Sequence, residues 1–295
     1  MSIEHFTEEK RHLLARPGVY NFGIWSAGYI PKFLSYGVAG TIAGISCFFY
    51  KGARKNLEKN LRRVFPEATE DSIAVLARKT FKNYSRYLID YARFKSIDKE
   101  TLERELVCID GGHFIDECLS GGKGIILLTA HLGNWELGGI FFGKHDIKIN
   151  VLTAKDNIDE ITAIKERYRK FHNISTIVIG DTPFAGLDAL NALMRNEVVA
   201  MLVDRAAEGG VPVPFFGTPT TFPAGPLLLA RATGSPIMPA FVVREGSGYR
   251  AIAEKPIYFD KEAGDTLESV AGKVIKKFEQ YIRKYPDQWY NFVEV

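Results

Sequence analysis

A chain of 295 residues, 46% of them hydrophobic, is long enough to bury a sizeable core, as one large domain or one domain with an appendage. A formal net charge of +3 is too mild to imply nucleic acid, so basic residues matter only where they cluster. The three cysteines, Cys47, Cys108 and Cys118, are too scattered for a disulfide framework, which fits a reducing compartment, and Cys108, His113 and Cys118 lack the fourth ligand of a tetrahedral metal site.

Residues 1–20 are polar and charged and read as a short helix ending at Arg16-Pro17-Gly18. No compact signal peptide opens the chain. From Phe33 to Tyr50 runs FLSYGVAGTIAGISCFFY, 18 residues without a charge, at the lower edge of membrane-spanning length. Lys51, Arg54, Lys55, Lys59, Arg62 and Arg63 follow directly. An uncharged run before a basic cluster predicts a membrane anchor, spanning or lying in the interface, whose C-terminal side faces the cytoplasm. A buried core helix is the plain alternative. The expected organisation is an N-terminal membrane-associated segment, 1–50, and a second unit, 51–295.

ARKNLEKNLRRVF carries Ala53, Leu57, Leu61 and Val64 near helical spacing and is stopped by Pro66. A second amphipathic helix follows, opened by Thr69 with acidic residues in its first turn. Residues 101–119 read as a strand and then a helix. Short apolar runs now alternate with helical stretches. The runs are GIILLTA (124–130), INVLTA (149–154), STIVIG (175–180), VVAMLVD (198–204) and IMPAFVVRE (237–245). Helical candidates lie at 135–143, 158–172, 184–195 and 224–233. Nearly continuous Val, Ile and Leu is expected of strands buried on both faces. The predicted fold class is therefore α/β, a central mostly parallel or mixed sheet flanked by helices. YRAIAEKPIYF and TLESVAGKVIKKFEQYIRKY supply a last strand and helix. The longest irregular stretch is 203–234, and long loops in compact domains are usually functional. Phe215, Phe216 and Phe222 on it suggest a chain-binding lining or a membrane-facing lip, with core filling as the alternative.

Functional groups in such sheets gather at the carboxyl ends of the strands. His131 stands there after IILLTA, and Asp204 after VVAMLV, so the two can share one crevice. In HLGNWE, Asn134 is a good N-cap and puts Glu136 in a helix's first turn, where it acts on His131 or merely complements the helix dipole. A neutral imidazole suits general-base chemistry on a hydroxyl, with a nearby carboxylate to orient it. No Gly-x-Ser-x-Gly elbow occurs and no cysteine lies in the motif, so a covalent acyl-enzyme has no evident nucleophile. The expected reaction is direct transfer to the substrate's own hydroxyl. A hydrogen-bonded structural pair is the bland alternative.

HLGNWE resembles the His-x-x-x-x-Asp/Glu signature of the lysophospholipid acyltransferase-like superfamily. It is most similar to the form in the late acyltransferases of lipid A biosynthesis, to which the phosphatidylinositol mannoside acyltransferases are a related branch. ARKNLEKNLRRVFPEATED, the block LVDRAAEGGVPVPFFGTPTTFPAGPLLLARATGSPIMP and the ending YPDQWYNF resemble further blocks of that family. The resemblance implies acyl transfer from acyl carrier protein or coenzyme A to a hydroxyl of a lipid or glycolipid, on the cytoplasmic face of the inner membrane, without a cofactor or metal. A protein of the same fold that only binds acyl chains or lipid is the alternative. Carried over by position, His131 is the base and Glu136 its partner. Arg169 or Arg167 meets anionic acceptor groups, and Asp204 with Arg205 completes the pocket. Asn134, Phe215 and Phe216 complete the expected substrate-binding set. Arg205 stands where lipid A enzymes commonly carry Gln, which leans towards the mannoside-type or an uncharacterised branch, and no basic His-Arg-Arg tail follows DQWYNFVEV.

Overall fold

The computed structural model describes residues 29–94, 97–154, 159–179 and 185–295, with side chains from 163 onwards in the third segment. The helix expected within residues 1–20 lies outside the described residues. The apolar run forms helix α1 (Lys32–Phe49), started at Pro31, whose fixed φ of −52° suits the approach to a first turn. α2 (Lys51–Val64) follows after one residue, and α3 (Glu70–Arg93) is capped by the Thr69 side chain, which accepts from the Ser72 N–H at 3.3 Å. α4 (Lys99–Glu105) leads into β1 (Leu106–Asp110) and α5 (Gly112–Ser120), so the strand and helix expected over 101–119 are preceded by a further short helix.

The alternating part then runs β2 (Ile125–Thr129), α6 (Trp135–Lys144), β3 (Ile149–Ala154), α7 (Asp159–Phe171), β4 (Ile174–Ile179), α8 (Ala185–Met194) and β5 (Val198–Leu202). Next come the hairpin β6 (Val211–Phe215) and β7 (Thr218–Phe222), α9 (Ala224–Thr233), β8 (Ile237–Glu245), β9 (Gly248–Ala253) and α10 (Leu267–Lys284). The main sheet has seven strands in the order β1-β9-β8-β2-β5-β3-β4, parallel except where β8 meets β9. This is the α/β architecture expected.

All five residues of β2 are buried, because helices cover both faces. The period of two sorts its side chains. Ile126 and Leu128 join the core under α8, α9 and α10, while Ile125 and Leu127 join the core under α5, α6 and α7.

The stretch 203–234, read as irregular, contains a regular two-stranded ribbon and α9. Its strand VPVPF was hidden by its prolines. They are tolerated because the ribbon has only two strands, and Pro212 and Pro214 take the exposed positions of an alternating buried and exposed pattern.

α1 runs antiparallel along α3. The Lys32 ammonium meets Glu105 at 2.8 Å, Gly40 faces the Lys82 stem, and Ala43 and Cys47 enter a small core with Leu57, Leu61, Ile73, Ala77 and Phe81. Asp90, fully buried on α3, ties this layer to the sheet. The Tyr36 and Tyr249 hydroxyls donate to it at 2.6 and 2.5 Å, and the Arg244 guanidinium at 3.1 Å. A buried carboxylate is tolerable only with such partners.

Candidate active site

The pairing of β2 with β5 sets the site. Thr129 lies opposite Leu202, and the Val203 N–H donates to the Thr129 carbonyl at 3.0 Å. Two residues beyond Thr129 is His131, and two beyond Leu202 is Asp204. Equal offsets from a parallel register bring their side chains together, with His131 Nδ1 and Asp204 Oδ1 2.7 Å apart. After His131 the chain must turn sharply between β8 and the C-terminal segment. Gly133 does this with a φ of 67°, where an added Cβ would lie 2.0 Å from the Val242 carbonyl oxygen.

Asp204 is almost wholly buried, and both its oxygens are engaged. Trp289 Nε1–H donates to Oδ2 at 2.8 Å, and the Asn291 amide donates to the Asp204 backbone carbonyl at 3.1 Å. Burial pushes this carboxyl up. The His131 ring, by charge and by hydrogen bond, then the Trp289 N–H and the Arg205 guanidinium outweigh burial and hold it below the usual carboxylate range. An ionised Asp204 fixes the Nδ1–H tautomer and leaves the Nε2 lone pair as the proton acceptor.

The same C-terminal segment holds the backbone: the Tyr290 N–H donates to the His131 carbonyl at 2.7 Å, and Leu132 pairs with Trp289. Aromatic rings wall the imidazole. Trp135 stands edge-on to it at 5.3 Å and is itself stacked on Tyr87 at 4.7 Å.

Glu136 faces elsewhere. Asn134 caps α6 as expected, its Oδ1 accepting from the Leu137 N–H at 3.1 Å, and the first turn of the helix directs Glu136 towards α7. There Arg169 donates to both carboxylate oxygens, at 2.7 and 3.4 Å, with both residues buried. The expected His131–Glu136 contact is thus replaced by two separate pairs, His131 with Asp204 and Glu136 with Arg169. Of the two arginines that the resemblance offered for anionic acceptor groups, Arg169 is 5% exposed and its guanidinium is paired with Glu136. Burial works against its charge, and Glu136 overcomes this and pushes it above the ordinary arginine value. Arg167 is exposed on the same helix. Arg205 lies exposed beside the site, with its Nε donating to Asn291 Oδ1 at 3.3 Å.

An apolar cavity of about 80 Å³ begins at Trp135 and Glu136 and runs under α6 across the sheet, past Gly138, Gly139, Ala200 and Val242. Phe215 and Phe216, expected to line a chain site, pack in and against the core on the opposite face of the sheet, around Trp289. Core filling won for Phe215 because the hairpin folds its buried positions inwards. Sequence reading missed Trp289 and Asn291 as site residues; the only signal was the block YPDQWYNF, which carries no recognisable catalytic spacing.

The model of the bacterial lipid A biosynthesis acyltransferases matches residues 4–294. The chain belongs to that family. It is similar to the phosphatidylinositol mannoside acyltransferase of Mycobacterium tuberculosis, with 26% identity over 92% of this chain and 85% of the relative. The corresponding enzyme of Mycolicibacterium smegmatis is 27% identical over 88% and 84%. The lipid A biosynthesis lauroyltransferase of Escherichia coli is 26% identical over 90% and 86%. As a member of this family the protein is an acyltransferase, and the crevice that joins His131 and Asp204 is its candidate active site.

Proposed function

We propose that the protein transfers a fatty acyl chain from a thioester of acyl carrier protein or coenzyme A to a hydroxyl of a membrane lipid or glycolipid, with His131 as general base. The observation that carries this reading is the Nδ1–Asp204 hydrogen bond, which leaves Nε2 as the basic ring nitrogen; Trp135, 5.3 Å from the imidazole, also lines an apolar cavity. The acceptor hydroxyl gives its proton to Nε2 as its oxygen attacks the thioester carbonyl. The C–S bond then breaks, and the imidazolium returns the proton to the leaving thiolate. An ester and a free thiol result, and no side chain of the enzyme is acylated. Asp204 stabilises the imidazolium between these steps.

The cavity supports the acyl part of the reading. At about 80 Å³ it is smaller than the roughly 150 Å³ that admits one benzene, so a long chain must displace side chains along α6. Names among the relatives, one a mannoside acyltransferase and one a lipid A lauroyltransferase, support a glycolipid acceptor. The test is mass spectrometry of the host's lipids with and without the gene, alongside purified protein given labelled acyl thioester. One lipid class short of one acyl group is expected. Unchanged lipids, or a fatty chain trapped covalently on the polypeptide during turnover, would overturn the mechanism.

Among the described residues α1 is the helix long and apolar enough to cross a membrane. Its packing supports the interfacial mode, and we propose that the helix rests on the cytoplasmic face of the inner membrane. A spanning α1 would have to carry α3 with it, including Lys79, Lys82 and Arg86, into hydrocarbon. Lying flat, it presents Phe33, Leu34, Val38, Ile42, Ile45, Phe48 and Phe49, all exposed, to the lipid. The basic cluster on α2 is partly offset, since Arg54 pairs with Glu58, Arg62 with Glu70, and Lys59 and Arg63 share Glu294. The run of exposed apolar side chains on α1 is expected to outweigh the basic charge that remains. Full-length protein should co-float with phosphatidylglycerol-containing vesicles and stay bound at high salt, whereas Phe33→Ser with Phe48→Ser should release it. Complete release of the unaltered protein by salt would reverse this assignment.

A further inference from the structure

The hairpin between β6 and β7 is closed by two residues, Phe216 and Gly217, with Phe215 opposite Thr218. Both central residues have positive φ, 50° and 73°. This is the pattern of a type I′ turn, where Asn-Gly is the ordinary choice. A phenylalanine in left-handed backbone is strained, and such strain persists only where its surroundings hold it. Here they do. Glu279 on α10 accepts the Phe216 N–H at 2.5 Å, and Arg283, from the same helix and 3.6 Å from Glu279, lies over the Phe216 ring at 4.9 Å. That ring is 4.6 Å from Phe215 and 6.0 Å from the Trp289 indole. Trp289 in turn donates to Asp204, and Asp204 bonds His131. An Asn-Gly turn would close the ribbon without strain but would leave Phe215, also 6.0 Å from the indole, to hold Trp289 from the hairpin without the second ring.

We propose that Phe216 is a positioning residue for the acyl transfer. Its ring, turned onto Trp289 by a left-handed backbone braced from α10, keeps the indole N–H on Asp204 and thereby keeps Asp204 aligned with His131. This inference rests on the reading of His131 as the base. It places Phe216 in the support of the proton-transfer pair instead of the chain-binding lining that the aromatic residues of stretch 203–234 suggested.

Full-length Phe216→Asn and Phe216→Tyr test it, in protein labelled with ¹⁵N-tryptophan, with the Trp289 indole N–H cross-peak assigned through Trp289→Phe. Thermal melts confirm that each variant is folded. In Phe216→Asn the Trp289 peak moves and its N–H exchanges faster with solvent. The kcat for thiol release from palmitoyl-CoA falls between about 10- and 10²-fold, as for a small misplacement of a reacting group, and KM is unchanged. Phe216→Tyr, which keeps the ring, restores both. An unmoved Trp289 peak in Phe216→Asn overturns the inference without any substrate. So does a raised KM with kcat preserved, which would return Phe216 to the chain lining. Undiminished turnover in a folded Asp204→Asn protein would instead remove the underlying reading, and this inference with it, whatever the Trp289 peak does.

Discussion

His131→Ala should abolish acyl transfer while leaving the protein folded, with a loss of about 10²–10⁴-fold, the range contributed by a positioned acid–base group. The ring contributes little to packing. It stands at the edge of the site, with 19% of its side chain exposed, and Asp204 keeps the Trp289 indole and the Asn291 amide when the imidazole is gone. On the proposed mechanism, what is lost is the group that takes the acceptor's proton as its oxygen attacks. Turnover with an acyl thioester and the accepted lipid, set beside a thermal melt, checks this. A folded variant that still transfers at the original rate would take the imidazole out of the chemistry.

The second large effect is on stability. Glu136→Ala leaves the Arg169 guanidinium buried, without its carboxylate, between α6 and α7. Breaking a buried pair from one side costs about 3–5 kcal/mol. For a chain of this size that corresponds to a melting temperature lower by on the order of 10 °C. The companion Glu136→Ala/Arg169→Met protein removes both charges and should recover a good part of the loss, because an apolar replacement no longer strands a charge. Calorimetry of the two variants separates this from a direct catalytic role. If Glu136→Ala melts like the unaltered protein yet is inactive, the carboxylate acts on the reaction itself and the ion pair is incidental.

The sheet was legible in the sequence because its strands are buried on both faces, which leaves unbroken apolar runs between helical stretches. The helices predicted at 135–143, 158–172, 184–195 and 224–233 fall within a residue or so of α6, α7, α8 and α9. The ribbon β6–β7 was not legible, since alternating prolines and threonines imitate a loop. At the site, His131 and Asp204 could be placed at the carboxyl ends of separate strands able to share one crevice. Their hydrogen bond could not, because it depends on the register of β2 against β5, which periodicity does not fix. Sequence distance favoured Glu136 as the partner of His131. Space favoured Asp204, because α6 begins between the two residues and carries Glu136 towards Arg169.

The pieces of the proposed proton-transfer pair come from widely separated points of the chain: Asp204 lies 73 residues after His131, and Trp289 and Asn291 a further 85 and 87 residues on. During synthesis the imidazole leaves the ribosome long before the indole and amide that fix its carboxylate. On the proposed mechanism, a nascent polypeptide that already bears His131 and Asp204 lacks the groups that fix the carboxylate until residues 289–291 dock beside the histidine.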